Sequence, residues 1–454
     1  MSDCNIVDSR RGIAHRAHLA IILSQRIVEV PSNGNVEVTR PMTLQLHKLT
    51  EVIRDVGRAL ADRLRERQAR LPQVVDALRL ASQQADLAER VDRARKRSWF
   101  GAAPAGEALD RIHPAPAALT GLTVVATDGS QIYPDRHSAL PYYAVNIGYF
   151  IVRLGTGQTH ADSQPELVTD PARLFHRGEP INAPTLNARR KVGETRVLAE
   201  LCLHEAAGSD SSEAHRVVGL IDGSLALRVR TEAIPGEEQR DLEREYLAAM
   251  ETVAIAHVPV AGYIARPGGS PLLSLLALAL QPADKLESYL AEYSGPSRPA
   301  GLPPPFRDVT DGQMFAQVLP SGARSAVYEF VAEWNQVYRK ARVSDSSGHT
   351  QSAHFFYLNV GRSVPVVARV EVPQWVAAQP AWLDMVHSAL VEQAWVTLDD
   401  PYPYALARAD EEAVIRAPEK EQVERMLAQS LLAAGLQASP SEKQAHKQRA
   451  RYRR

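Results

Sequence analysis

Cysteine is scarce in this sequence: Cys4 and Cys202 are the only two among 454 residues. Two cannot build a disulfide framework or a cysteine-rich zinc site, and both suit a reducing compartment as free thiols. Long apolar runs are missing too. The longest, PLLSLLALAL at 271–280, falls well short of the roughly 20 residues a membrane span needs. LAIIL at 19–23 is short for a signal segment and no small-residue cleavage site follows it, so the protein is expected in the cytoplasm and off the membrane. Neither GxGxxG nor GxxxxGK[ST] occurs, which argues against a nucleotide-driven motor. GSLAL and GGSPL lack the G-x-S-x-G frame of a serine hydrolase, and the histidines show no ligand spacing. No one sign of charge dominates either. With 52 basic and 53 acidic side chains the formal net charge is -1, so any surface for a polyanion has to be local.

What the chain does have is a repeated junction. TVVATDGSQIY (123–133) and VVGLIDGSLALR (217–228) each run from β-formers into Asp-Gly-Ser. The pattern places Asp128 and Asp222 where a buried strand breaks into a glycine turn, at the rim of a sheet. Carboxylates on neighbouring strands suit Mg²⁺ or Mn²⁺, which prefer hard oxygen ligands. Two such ions can activate a water and stabilise a leaving oxygen in phosphodiester cleavage. The competing reading is that Asp-Gly marks a hairpin turn; a third Asp-Gly, in TDGQMF at 310–315, lacks a preceding strand and reads as a turn. Glu194, in RRKVGETRVLAEL, is the candidate third carboxylate, with Glu200 and Glu205 behind it. Asp410, in DDPYPYALARADEEAV, competes with Asp399, Asp400, Glu411 and Glu412 to complete the site. GYIARPGGS offers Tyr263 and Arg266 for DNA phosphates, and LPSGARSAVYEF offers Arg324 and Ser325.

The chain as a whole is α/β. Residues 1–42 lack periodicity and are expected to be a disordered extension. Residues 43–100 form an amphipathic helical arm, broken near Pro72, in which Leu46, Leu49, Ile53, Val56, Leu60 and Leu64 recur at helical spacing. Residues 101–120 are Ala/Pro/Gly-rich and read as a linker. A core of interleaved strands and helices spans 121–418, with strands ending at Asp128 and Asp222, another over 142–154 with Gly148 as a bulge, and a polar loop over 159–184. Residues 419–454 are a C-terminal helix and a basic tail, which adds salt-sensitive attraction to DNA.

In order, TVVATDGSQIYP, LIDGSLALR, GYIARP, LPSGARSAVYEF, FFYLN with VEVPQWV, and YPYALARADEEA resemble the NurA nuclease family over about residues 120–415. The resemblance implies a ribonuclease-H-like mixed sheet flanked by helices, a homodimer, and DNA degradation dependent on Mn²⁺ or Mg²⁺. It further implies 5′ to 3′ exonuclease and single-strand endonuclease activity in end resection for repair, with a HerA-type hexameric ATPase as partner. The family aspartates fall on Asp128 and Asp222, its helix glutamate on Glu194, and its C-terminal tyrosine on Tyr402 or Tyr404. Asp410 stands where the family usually has a histidine. Two other functions remain in play: a non-catalytic DNA-end clamp or adaptor for a ring ATPase, and a hydrolase of another phosphate ester.

Overall fold

The computed structural model describes residues 45–135, 140–176, 178–207, 216–227, 234, 236–295, 297–299, 301–345, 347–397 and 400–436. The expected N-terminal extension and basic tail lie outside them. The chain divides into two units, residues 1–62 and 63–454. In the first, a turn of 3₁₀ helix (Leu46–Leu49) leads into the start of helix α1 (Thr50–Ser82), where Val52, Ile53, Val56 and Leu60 are exposed. The expected break at Pro72 does not occur. Proline removes one helical hydrogen bond and crowds the preceding turn, but Val74, Ala77, Leu78 and Ala81, just beyond it, are all buried and offset that cost.

In the second unit, α2 (Leu87–Arg95) precedes β1 (Gly101–Pro104) and β2 (Ile112–His113). Two stretches of the expected linker therefore pair into the sheet, and Gly101 makes room for the Trp99 ring, which a Cβ there would strike. β3 (Leu122–Ile132) and β4 (Tyr143–Arg153) follow. β3 does not end at Asp128; it runs four residues past it. β4 has no bulge at Gly148, since its ladder with β3 is unbroken from Thr123↔Arg153 to Ile132↔Ala144. Gly148 is there for another reason: a Cβ would land on the backbone of Ala409, Glu412 and Ala413.

The expected loop over 159–184 is largely β5 (Gln158–Val168), then α3 (Pro171–Leu174) and the small pair β6 (Phe175–His176) and β7 (Glu179–Pro180). Nearly every residue of β5 is exposed on both faces, so no apolar alternation marks it as a strand. Next come α4 (Ala183–Ala207), β8 (Arg216–Asp222), α5 (Gly236–Ile255), β9 (Val260–Ile264) and the wholly buried α6 (Pro271–Ala279). α7 (Leu286–Tyr293) leads to α8 (Asp311–Phe315). TDGQMF thus opens a helix, with Thr310 and Gln313 as its capping box. Asp311 itself accepts the N–H groups of Leu272 (2.8 Å) and Leu273 (2.9 Å) at the start of α6, and the Tyr357 hydroxyl (2.6 Å). Burial pushes its carboxyl up to about 6 despite those donors.

The chain closes with β10 (Arg324–Ser325), β11 (Tyr328–Val331), α9 (Asn335–Lys340), β12 (Ala353–Asn359), β13 (Val367–Pro373), α10 (Gln374–Ala377), α11 (Pro380–Ala394), α12 (Tyr404–Ala413) and α13 (Ala417–Ala433). One large mixed sheet runs β1-β11-β12-β13-β9-β8-β3-β4-β5, with β10 on β12 and β2 on β10. β5, β4 and β3 are antiparallel; β3, β8 and β9 are parallel; from β9 to β1 the pairing is antiparallel again. Leu122, Val124, Val125 and Ala126 of β3 are fully buried. A central strand covered on both faces reads as a near-continuous apolar run, and each large side chain so buried contributes about 1.5–3 kcal/mol. The fold thereby fixes the backbone on which Asp128 rides.

Candidate active site at the end of strand β8

Asp128 and Asp222 lie on adjacent parallel strands at one level. The β3–β8 ladder ends at Thr127↔Ile221, so the two aspartates are the next residues on strands about 4.8 Å apart. β8 stops there. Gly223 takes φ +78°, the left-handed region that glycine enters without strain. Its N–H donates to the Tyr263 carbonyl at 2.8 Å. β3 continues, and beyond Asp128 the edge that faced β8 is open. Side chains do there what a longer β8 would have done. Asp128 Oδ1 accepts the Gly129 N–H (2.7 Å), and Arg190 Nη1 donates to the Gly129 carbonyl (2.6 Å). The two Asp-Gly-Ser motifs therefore need glycine for different reasons. Gly223 makes a turn, whereas a Cβ on Gly129 would meet Glu194 Oε1 at 2.8 Å and Arg190 Cγ at 2.9 Å.

Helix α4 brings the third carboxylate. Glu194 is 1% exposed. Its Oε1 accepts from Arg190 Nη1 at 2.7 Å, and Lys191 Nζ lies 3.5 Å from Oε2. Arg190 Nη1 is also 3.7 Å from Asp128 Oδ1, so one guanidinium nitrogen stands between two carboxylates from different elements. Burial, Glu194 and Asp222 push the Asp128 carboxyl up to about 7, against the Gly129 N–H and Arg190. Burial likewise raises Glu194, opposed by Lys191 and Arg190, and lowers Lys191, opposed by Glu194.

Tyr402, just ahead of α12, donates its hydroxyl to Asp222 Oδ1 at 2.8 Å. Burial and the Asp222 charge hold that phenol protonated, well above its ordinary range. Its ring meets Tyr263 edge-on at 5.6 Å between centroids. α12 is anchored over the sheet because Asn146 donates to the Glu412 and Ala413 carbonyls and Ser130 to that of Ala413.

The other expected residues differ in exposure. Asp410 is exposed on α12, and among the described residues no three or more His, Cys, Asp or Glu side chains form a ready metal cluster. Glu200 is exposed, and Glu205 pairs with Arg153 at 2.8 Å. Of the expected phosphate contacts only Arg266 is exposed. Tyr263 and Ser325 are 0% exposed and Arg324 3%. Arg324 donates to the Ser325 carbonyl and lies over the Phe356 ring, and Ser325 Oγ accepts the Tyr357 N–H. An SGARS segment signals a phosphate loop only when it stays at the surface, and here it pairs into the sheet.

The structure also brings in residues that the sequence reading passed over. Arg190 and Lys191 precede Glu194 by four and three positions, the spacing at which helical side chains meet. Glu371, on β13, is fully buried; it accepts the Ser224 hydroxyl (2.7 Å) and the Leu225 N–H (3.2 Å) and pairs with Arg369 (3.0 Å). It thus clamps the turn that follows Asp222. Two charged residues at alternate positions of the apolar VARVEV were the available signal.

The donors around Asp128 and Asp222 are oxygens only, the set that a hard divalent cation takes together with water. In donor type the pair fits Mn²⁺ or Mg²⁺. Glu194 is committed to Arg190 and Lys191 in this arrangement.

The family model of the NurA domain matches residues 122–415. No curated protein matches the chain. Similar solved structures include a crystal structure of NurA with manganese, at 8% identity and TM-score 0.34 over 79% of this chain and 96% of that one. Another is a NurA bound to dAMP and manganese, at 11% identity and TM-score 0.32 over 84% and 96%.

Proposed function

The chain belongs to the NurA family, whose domain covers most of its length, and from that premise we propose that it is a metal-dependent deoxyribonuclease. The observation that carries the proposal is the level placement of Asp128 and Asp222 where β8 stops and β3 goes on. The strand order β5-β4-β3-β8-β9 supports the ribonuclease-H-like reading of the core.

In this reading Asp128 and Asp222 hold the cation. A bound Mn²⁺ or Mg²⁺ would supply positive charge at the scissile phosphate and make a bound water more acidic. The rest is done by side chains of this chain. Tyr402 fixes Asp222 by donating to Oδ1, leaving Oδ2 for the ion. Arg190 neutralises Asp128 and Glu194 and can turn to a phosphate oxygen, freeing Glu194 to join the site. Glu371 holds the Ser224 turn and with it the aim of Asp222. Arg266 is the exposed cation of the expected DNA contacts, and Asp410, exposed on α12, is the proposed further ligand. The finer proposals are 5′ to 3′ trimming and single-strand cutting in repair, in the cytoplasm, as a homodimer alongside a HerA-type ATPase. The exposed apolar face of α1 supports the dimer.

Labelled linear DNA incubated with Mn²⁺ tests the central claim. It should be degraded by the wild type and left intact by Asp128→Ala and Asp222→Ala, both folded. DNA left whole by the wild type would sink the proposal. It would favour instead a non-catalytic DNA-end adaptor, the reading supported by Glu194 being tied to Arg190 and by the missing three-donor cluster among the described residues.

A further inference from the structure

β3 and α4 run alongside each other beyond the aspartates, and their facing residues pair in sequence. Thr127 Oγ1 donates to the Glu194 carbonyl, Gly129 meets Arg190, and Gln131 and Tyr133 meet Asn187. Alternate residues 127, 129 and 131 of β3, and Tyr133 just past its end, thus face helix residues 194, 190 and 187, each about one turn from the next. Burial falls steadily along this row. Thr127 and Glu194 are buried, Gly129, Arg190 and Gln131 half-buried, and Asn187 and Tyr133 exposed. The row opens from the carboxylates to solvent over five strand residues, roughly 16 Å.

The outer end is a fixed aromatic. Tyr133 is 43% exposed. Its hydroxyl accepts from Gln131 Nε2 at 2.8 Å and donates to Asn187 Oδ1 at 2.9 Å, and Gln131 Nε2 also donates to Asn187 Oδ1 at 3.0 Å. A phenol bonded at its tip to two amides has lost its ring rotation and presents a surface at little further entropic cost. At the inner end the half-buried Arg190 carries an Nε–H that meets no acceptor among the described residues, and the same turn of the guanidinium that frees Glu194 would bring it to a phosphate oxygen.

We propose that the open half of β3 and the first half of α4 form a track for one polynucleotide strand, with a base stacked on Tyr133 and a phosphate at Arg190. The track rests on the nuclease reading and replaces the phosphate contacts that the fold buries. Aromatic stacking suits it because every base has a π-face, which makes recognition sequence-tolerant. The amides of Gln131 and Asn187 position the ring.

The test is fluorescence anisotropy in EDTA, where nothing is cut, with labelled oligothymidylate and an abasic strand of equal length. The wild type should prefer the strand that carries bases. Tyr133→Ala should weaken oligothymidylate by about tenfold or more and leave the abasic strand unchanged; Tyr133→Phe, which keeps the ring, should retain the preference. Equal binding of both strands by the wild type, an unchanged preference in Tyr133→Ala, or loss of both strands together would each overturn the track. A wild type that cuts DNA yet shows one of these results sinks the track alone, whereas a wild type that neither binds nor cuts sinks the nuclease reading with it.

Discussion

The Tyr402 hydroxyl donates to Asp222 Oδ1 across 2.8 Å, joining residues 180 positions apart. One comes from the end of β8 and the other from the segment leading into α12, so the bond ties the sheet rim to the C-terminal part of the core. A hydrogen bond to a carboxylate is charge-assisted and directional, and it fixes which face of Asp222 is left for a ligand.

Tyr402→Phe keeps the ring against Tyr263 and removes only that donor. Partners that orient a ligand in this way are worth about 10–100-fold in metal affinity or activity. Steady-state cleavage of linear DNA in Mn²⁺ should fall by that factor, with thermal unfolding close to wild type. Wild-type rates would show that Asp222 needs no orienting bond.

Asp128 links the site to pH. Its carboxyl is raised from 3.8 to about 7, so the folded state holds this proton more tightly than the unfolded chain does. The stabilising effect is complete below about pH 4 and lost as pH rises through about 7, a change of roughly 2–4 kcal/mol in metal-free protein. Asp128→Asn should flatten that decline when urea unfolding in EDTA is followed from about pH 5 to pH 8. Parallel profiles for the two proteins would contradict the assignment.

Arg190 occupies the ground between Asp128 and Glu194, where a second cation is repelled. Titration calorimetry of Arg190→Ala should therefore show Mn²⁺ binding about 5–10-fold tighter than in wild type. Cleavage should nevertheless be slower, because the phosphate has lost its guanidinium. Weaker Mn²⁺ binding would mean that Arg190 organises the carboxylates rather than competing for them.

Gly148 lets α12 rest on the sheet opposite Asp128. Alanine there forces its methyl onto helix backbone, which cannot rotate away as a side chain can, at a cost of about 3 kcal/mol. Gly148→Ala should lower the melting temperature by several degrees and reduce cleavage, since Tyr402 rides on the same segment. A wild-type melting curve would show that α12 moves freely over β4.

Local pattern was enough for much of the scaffold. The buried strands and helices of the core announced themselves through apolar runs and helical spacing, and β8 ended at Asp222 as its Asp-Gly junction implied. β5 escaped notice because a strand exposed on both faces has no alternation to read. β1 escaped because Gly, Ala and Pro are poor strand formers, so Gly101–Pro104 carries no local strand signal. The same junction misled at Asp128: glycine there serves the approach of α4, and spacing cannot separate that need from a turn.

The amino acids by themselves determined that two aspartates would follow two buried apolar runs, and that a glutamate would sit on the helix between them, because burial and periodicity are properties of short stretches. Tertiary structure alone decided the rest. It stopped β8 where β3 continues, set Arg190 between Asp128 and Glu194, tied Tyr402 to Asp222, and buried Arg324 where a phosphate contact was expected. Those outcomes depend on which segments meet across long sequence distances, and a side chain's exposure, charge and partners are set by that meeting.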